Sequence, residues 1–190
     1  MHYIYIRKYE DGFSQLMTSG TEPSPEIVAS DVITIQSLPI KPRKEGHGAR
    51  LCANFETKEV WYELVPSAAY LKQNLIKALE EYDSSSKVNE FTIGDIKLWL
   101  DSSMRDKVRE NLEYCKQVGL TETTLRISGH SFTLTTEQGW QMYYAVLGYA
   151  RECWNVTEMH REAIMKLRTE EEIKGYNYTT GYPEKLVFNL

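Results

Sequence analysis

Residues Thr135–Arg168, TTEQGWQMYYAVLGYARECWNVTEMHREAIMKLR, form the longest stretch with a helical pattern and hold most of the large side chains a core needs. Trp140, Tyr143, Leu147, Ala150 and Trp154 recur at three- and four-residue steps, which places them on one face of a helix. Met142, Val146, Tyr149, Cys153 and Val156 repeat the pattern on the next stripe. The spacing therefore predicts a central helix that is apolar over most of its circumference and needs partners on several sides. Thr135 with Gln138 forms a capping box at its start. Asn155–Thr157 reads as a break, with Thr157 recapping a helix that buries Met159, Ala163, Ile164 and Leu167.

The elements before this stretch set the fold class. Phe91–Ile93 and Ile96–Leu100 read as a hairpin about Gly94-Asp95. Asp101 and Ser102 cap a helix with the stripe Met104, Val108, Leu112, Cys115 and Val118, stopped by Gly119. Thr124–Ile127 and Phe132–Leu134 make a second hairpin across Ser128-Gly129-His130, and Thr169 with Glu172 caps a last turn. The order ββαββαα from residue 87 to 190 predicts an α+β domain, its helices lying on an antiparallel sheet.

Residues 1–66 read instead as a small β-rich module. His2–Tyr9 and Val32–Gln36 are strands, and Arg50–Asn54 with Glu59–Val65 is a hairpin. Asp11-Gly12 marks a turn, Ser24 caps a single helical turn through Ser30, and Leu38–Gly48 is a mobile loop. The core of such a module is thin. Residues 67–86 are a connecting helix, Ala68–Asp83, followed by the serine linker Ser84–Ser86. Ala68, Leu71, Leu75, Ala78 and Tyr82 have the spacing of a coiled-coil seam, or of an amphipathic helix lying on a neighbouring module. Self-association through that seam would make the chain a homo-oligomer.

Composition narrows the function. The 190 residues are 42% hydrophobic and 26% charged, as in ordinary globular proteins, but thirteen Tyr and four Trp stand beside only five Phe. Such a surplus of amphipathic rings reads either as an interface or as a Tyr-rich core and surface with no partner. Net charge is −5, and the densest basic cluster is Lys41, Arg43, Lys44 and Arg50, too small for nucleic-acid binding. The sequence shows no run long enough for a signal peptide or a membrane span. Cys52, Cys115 and Cys153 each sit in an apolar pattern and read as reduced, buried thiols of a cytoplasmic protein. The glycosylation match at Asn155-Val156-Thr157, in the middle of an aromatic helical region, reads as chance.

No catalytic, cofactor-binding or metal-ligating constellation is expected. Cys153 and His160, seven residues apart, are the one thiol–imidazole pair that could begin a metal site or a nucleophile–base pair. The expected break at Asn155 spoils that register and favours a structural His160, bonded to a backbone carbonyl or to the closing Tyr-rich segment. His47, between two glycines, His130, in a turn, and His2, at the terminus, are poor ligands. Glu80-Glu81 and Glu170-Glu171-Glu172 read as solvated or capping carboxylates. Tyr176, Tyr178 and Tyr182 form either a cover over the end of the central helix or a contact surface for another subunit. Trp61 is the first suspect for a carbohydrate-binding groove.

The second half resembles a domain of unknown function found in phage and prophage proteins, often encoded near tail-fibre genes. The likeness rests on Leu98-Trp99-Leu100-Asp101 with Arg105, on Leu125, on Tyr149-Ala150, and on Cys153–Thr157 with His160 and Ile164. It closes on Tyr176–Leu186, and Phe55–Leu64 carries a weaker likeness to the leaders that precede that domain. The resemblance brings no catalytic residues. It implies a virion or tail-region protein, made in the bacterial host cytoplasm, that binds other phage structural proteins. A tail-fibre assembly chaperone and a host-surface or carbohydrate-binding module are the alternatives, and an enzyme using Cys153 or His160 is the rival from another class.

Overall fold

The computed structural model describes residues 1–8, 14–25, 27 and 31–189. They divide into two compact units, Met1–Leu71 and Lys72–Leu190. In the first, β1 (His2–Lys8) is the middle strand of an antiparallel sheet, between β2 (Ser14–Ser19) and β3 (Val32–Ile35). Ile4 lies opposite both Thr18 and Ile33, and the two-residue period turns Ile4 and Ile33 inward, where both are covered. They are the only fully covered apolar side chains among the described residues of this unit, so its core is as thin as expected. The Asp11-Gly12 turn lies outside the described residues. So does most of the turn expected from Ser24 to Ser30, of which the Ile27 amide bonded to the Ser24 carbonyl is described.

The hairpin β4 (His47–Asn54) and β5 (Glu59–Pro66) is three residues longer at its start than the pattern suggested. Its register sets Cys52 opposite Trp61, and the Asn54 side chain closes the turn by accepting from the Glu56 and Thr57 amides.

Helix α1 (Ala68–Asp83) has the predicted bounds, with the Ser67 hydroxyl accepting from the Tyr70 amide. Its residues from Lys72 onward belong to the second unit. The covered face is rotated from the predicted seam: Leu79 is fully buried, Leu75 and Tyr82 are half-buried, and Ala68 is exposed. That face is used within the second unit, where Lys72 reaches the Met165 carbonyl and Glu80 pairs with Arg161 at 2.9 Å. The serines after α1 are not a free tether. The Ser84 and Ser85 hydroxyls bond back to the carbonyls of Glu80 and Tyr82, and Val88 just beyond is fully buried. The units accordingly divide four residues into α1 and not at the serines, because Ser, which reads as linker in a sequence, here terminates a helix.

The second unit continues with β6 (Phe91–Ile93), β7 (Ile96–Leu98), α2 (Ser102–Val118), β8 (Glu122–Ile127), β9 (His130–Thr135), α3 (Thr136–Lys166), α4 (Glu170–Gly175) and β10 (Val187–Phe188). This is the α+β class, and both hairpins and all three caps stand where the residues placed them. The strands form two small sheets instead of one. β10 joins β6 in parallel, giving the order β10–β6–β7, while β8 and β9 pair only with each other. Between them lies the main core, built from Phe91, Leu98, Leu100, Leu112, Ile127 and Val146 among others. Helices α2 and α3 meet at Gly139, where a Cβ would stand 2.5 Å from Leu112 Cδ2, so a larger residue there requires the Leu112 side chain to shift.

Two expectations for the central helix are corrected. First, α3 does not break at Asn155–Thr157: it runs unbroken for 31 residues, and the Thr157 hydroxyl turns to a tertiary partner instead of a cap. Second, it is not apolar-buried around most of its girth. One stripe is covered, comprising Gly139, Met142, Tyr143, Val146, Tyr149, Cys153, Thr157 and Ile164. Of the face that opened the sequence reading, Leu147 and Trp154 point to solvent.

Candidate functional site

The covered stripe of α3 changes from apolar to polar along its length. Tyr149 donates its hydroxyl to the Val88 carbonyl at 2.7 Å, and burial pushes its pKa up. Cys153 lies one turn on, and burial pushes its thiol up as well, away from the reactive thiolate. One further turn brings Thr157, whose Oγ1 is 2.7 Å from Asp83 Oδ1 and 2.8 Å from the Tyr182 hydroxyl. A carboxylate only accepts, so Thr157 donates to Asp83 and accepts from Tyr182. His160 follows, with Nε2 2.8 Å from the Thr180 carbonyl and Nδ1 2.7 Å from the Tyr176 hydroxyl. The carbonyl assigns the proton to Nε2, leaving Nδ1 to accept from Tyr176.

Because α3 is unbroken, Cys153 and His160 do share a face, but seven residues of helix separate their Cα atoms by about 10 Å. Thr157 stands between them, and both imidazole nitrogens are taken up by residues of the closing segment. A nucleophile and its base need direct hydrogen-bond reach. These groups instead hold the segment from Tyr176 to Leu186 against the end of α3. The Tyr82 ring meets Tyr178 edge-on at 5.9 Å and Tyr182 at 5.5 Å, and His160 stacks on Tyr182 at 6.1 Å. The three tyrosines are half-buried and form the cover over the helix end.

Lys185 fastens the far end of that cover to the Ser86 carbonyl at 2.7 Å and to Glu90 at 2.8 Å. Its ammonium, with Lys97 assisting, holds the Glu90 carboxyl below the usual carboxylate range. A carboxyl whose pKa is lower folded than unfolded contributes stability above about pH 4.3, and that contribution is lost as pH falls through the depressed value. Glu90→Gln should therefore lower the melting temperature near neutrality, where the tie is present, and converge with the wild type in acid, where Glu90 is protonated, so that its acid-side decline is shallower. A series of melts between those limits checks the sign. An unchanged acid limb would count against the tie.

Beside this network lies an open cleft of about 270 Å³ at the start of α2. Its lining combines aromatic, cationic and acidic side chains, among them Trp99, Arg105, Trp154, Asp83 and Asp101. Arg105 lies 5.9 Å from the Trp99 ring centroid and donates to the Leu100 carbonyl, which fixes its guanidinium in place. Trp99, Asp101, Arg105, Ala150, Cys153 and Trp154 all belong to this lining. They are scattered over 56 positions of sequence, and the fold brings them to one place.

The flank of α3 that carries Trp140, Leu147 and Trp154 reads from sequence as buried, and the structure exposes much of it. Tyr144, Trp154 and Met165 are 60%, 61% and 61% exposed, and Leu147 is 40% exposed. Trp140 stacks on Tyr144 at 5.4 Å. Trp140, Leu147 and Trp154 are seven residues apart, as are Tyr144, Arg151, Glu158 and Met165. The signal was therefore present as a second, heptad-spaced stripe on the same helix. Large apolar side chains are thus exposed along this flank, with Arg151 and Glu158 between them.

The remaining candidates have local explanations. His47 is held, not loose: Nδ1 is 2.9 Å from the Glu45 carbonyl and its ring lies 5.2 Å from that of Tyr70. Glu172 accepts from the Arg168 and Thr169 amides, Glu170 pairs with Lys174, and Glu81 with Lys77. His130 sits beside Phe132. Trp61 is 46% exposed on β5. Lys41, Arg43 and Lys44 line an open cleft in the first unit. Among the described residues, no three His, Cys, Asp or Glu could hold a metal ion, and no helix is long and apolar enough to cross a membrane.

Cys115 and Cys153 are buried as expected, but Cys52 is only half-covered, its Sγ 3.7 Å from Glu63. A thiol reagent should therefore modify Cys52 first in the native chain, and the other two only on unfolding. Peptide mapping after brief labelling decides this, and early modification of Cys153 would contradict the burial just described. No family model matches the sequence, and it has no match among curated proteins or solved structures.

Proposed function

We propose that this chain is a non-catalytic phage or prophage protein that works through protein–protein contacts, in the virion or in building its tail region. The observation that carries the proposal is the outward face of α3, which sets Tyr144, Leu147, Trp154 and Met165 in one exposed row. His160, the imidazole of the one thiol–imidazole pair, has both ring nitrogens bonded to the closing segment. The resemblance of the second half supplies the phage context, and the aromatic surplus is of the kind enriched in interface cores.

Mass spectrometry of purified particles tests the reading. Recovery of the chain makes it a virion component. Its absence, combined with loss of tail fibres when Trp154→Asp replaces the wild type, makes it an assembly factor. Absence together with unchanged particle yield and fibre content in the Trp154→Asp background would overturn the proposal.

A further inference from the structure

The exposed stripe of α3 is self-complementary in one orientation. Trp140, Tyr144, Leu147, Arg151, Trp154 and Glu158 alternate at steps of four and three, and Arg161 and Met165 continue the row, the spacing of a seam between two helices packed about 20° apart. The stretch from Trp140 to Met165 is about 37 Å long, a length suited to an interface of about 800 Å² per partner. Two cations and one anion interrupt the apolar row, and of the cations Arg161 is already paired with Glu80 and Glu158. Arg151 is exposed and joins none of the ion pairs among the described residues; Glu158, two turns on, lies 3.2 Å from Arg161 of its own helix and is 39% exposed.

In a parallel pair Arg151 would face Arg151 and Glu158 would face Glu158, so like charges oppose association. Reversing one helix about a dyad between Glu152 and Cys153 changes every layer. Each Arg151 then lies over the Trp154 ring of the other copy and within reach of its Glu158, and Trp140 faces Met165. Cation–π, ion-pair and sulfur–aromatic contacts are all made at once, each twice by symmetry.

We infer that the outward face of α3 binds the same face of a second copy of this chain in antiparallel orientation. The inference rests on the contact reading above and names its partner. It also moves self-association away from the α1 seam, whose Leu75 and Tyr82 are half-buried beside the fully buried Leu79.

Light scattering of the full chain across a concentration series tests it, with circular dichroism confirming that each surface variant stays folded. The wild type should approach twice the 22.1 kDa of one chain. Arg151→Glu alone, or Glu158→Arg alone, should weaken the dimer roughly tenfold or more. Both changes in one chain, or the two single variants mixed, should restore it, because opposite charges face each other again. A wild type that stays monomeric, a dimer indifferent to either reversal, or a double variant no better than the singles would each overturn the inference. A monomer whose Trp154→Asp variant still disturbs tail assembly would leave the contact proposal standing with a different partner.

Discussion

Replacing Phe91 by alanine is expected to lower the stability of the second unit by about 3–5 kcal/mol. Phe91 is fully buried, and its ring meets Phe188 edge-on at 5.7 Å. It stands on β6, the strand that pairs with β7 on one side and with β10 on the other. Truncation therefore opens a cavity beneath the hairpin and takes away the ring against which the last strand packs. A void at the centre of three joined strands has little freedom to collapse, which puts the cost in the upper part of the range for large-to-small changes. Urea unfolding followed by the helical circular dichroism signal measures it. A loss below about 1 kcal/mol would mean that Phe91 is not in the core. Phe188→Ala should cost less, because that ring is only half-buried.

The second large effect concerns the polar face of α3. Thr157→Val keeps the volume of the side chain and removes the hydroxyl that both donates to Asp83 and accepts from Tyr182. A hydrogen bond to a charged group contributes about 1.5–3 kcal/mol, and an orphaned partner adds its own desolvation cost. The expected loss is about 2–3 kcal/mol, with the closing segment becoming more open to proteases than in the wild type. Tyr182→Phe should cost less, since Thr157 keeps its bond to Asp83. In the double variant the two losses should fall short of their sum, because they share one bond. Additive losses would show that the hydroxyls do not act as a chain.

Much of this architecture was legible in the residues. Asp101 before α2, the Thr135–Gln138 and Thr169–Glu172 boxes, and Gly119 at φ 73 are local signals, and each element begins or ends where they stand. The failures came where a tertiary partner overruled a local one. Thr157 reads as a cap because Ser and Thr hydroxyls compete for backbone amides. Asp83, 74 residues earlier, took that hydroxyl instead, and the helix continued. Strand β10 is two residues long and exists only because β6 offers it a free edge, so no pattern announces it. Strand β2, SQLMTS, lacks β-branched alternation and is specified by its pairing with β1.

The site was legible in part. Attachment of His160 to the closing segment was expected from the Tyr-rich tail, and the structure gives it both nitrogens. The cleft was not expected, since Trp99 and Arg105 reach Trp154 only after β7, α2 and α3 are packed. The exposed face of α3 was hidden by the assumption that a helix rich in Trp and Tyr buries them all. Counting two heptad-spaced stripes, and asking which one a thin neighbouring layer could cover, would have separated them.

The account stands on a division of labour around α3: one face holds the unit together and the other meets a partner. Hydroxyl-radical footprinting of the isolated, dilute chain and of the chain in its assembly reads both faces at once. In the isolated chain Tyr144, Trp154 and Met165 should be modified heavily, with Met142, Tyr149 and Cys153 protected, and assembly should protect the first set as well. If Trp154 were already shielded in the isolated chain, or remained reactive after assembly, the outward face of α3 would not be where this protein meets its partner.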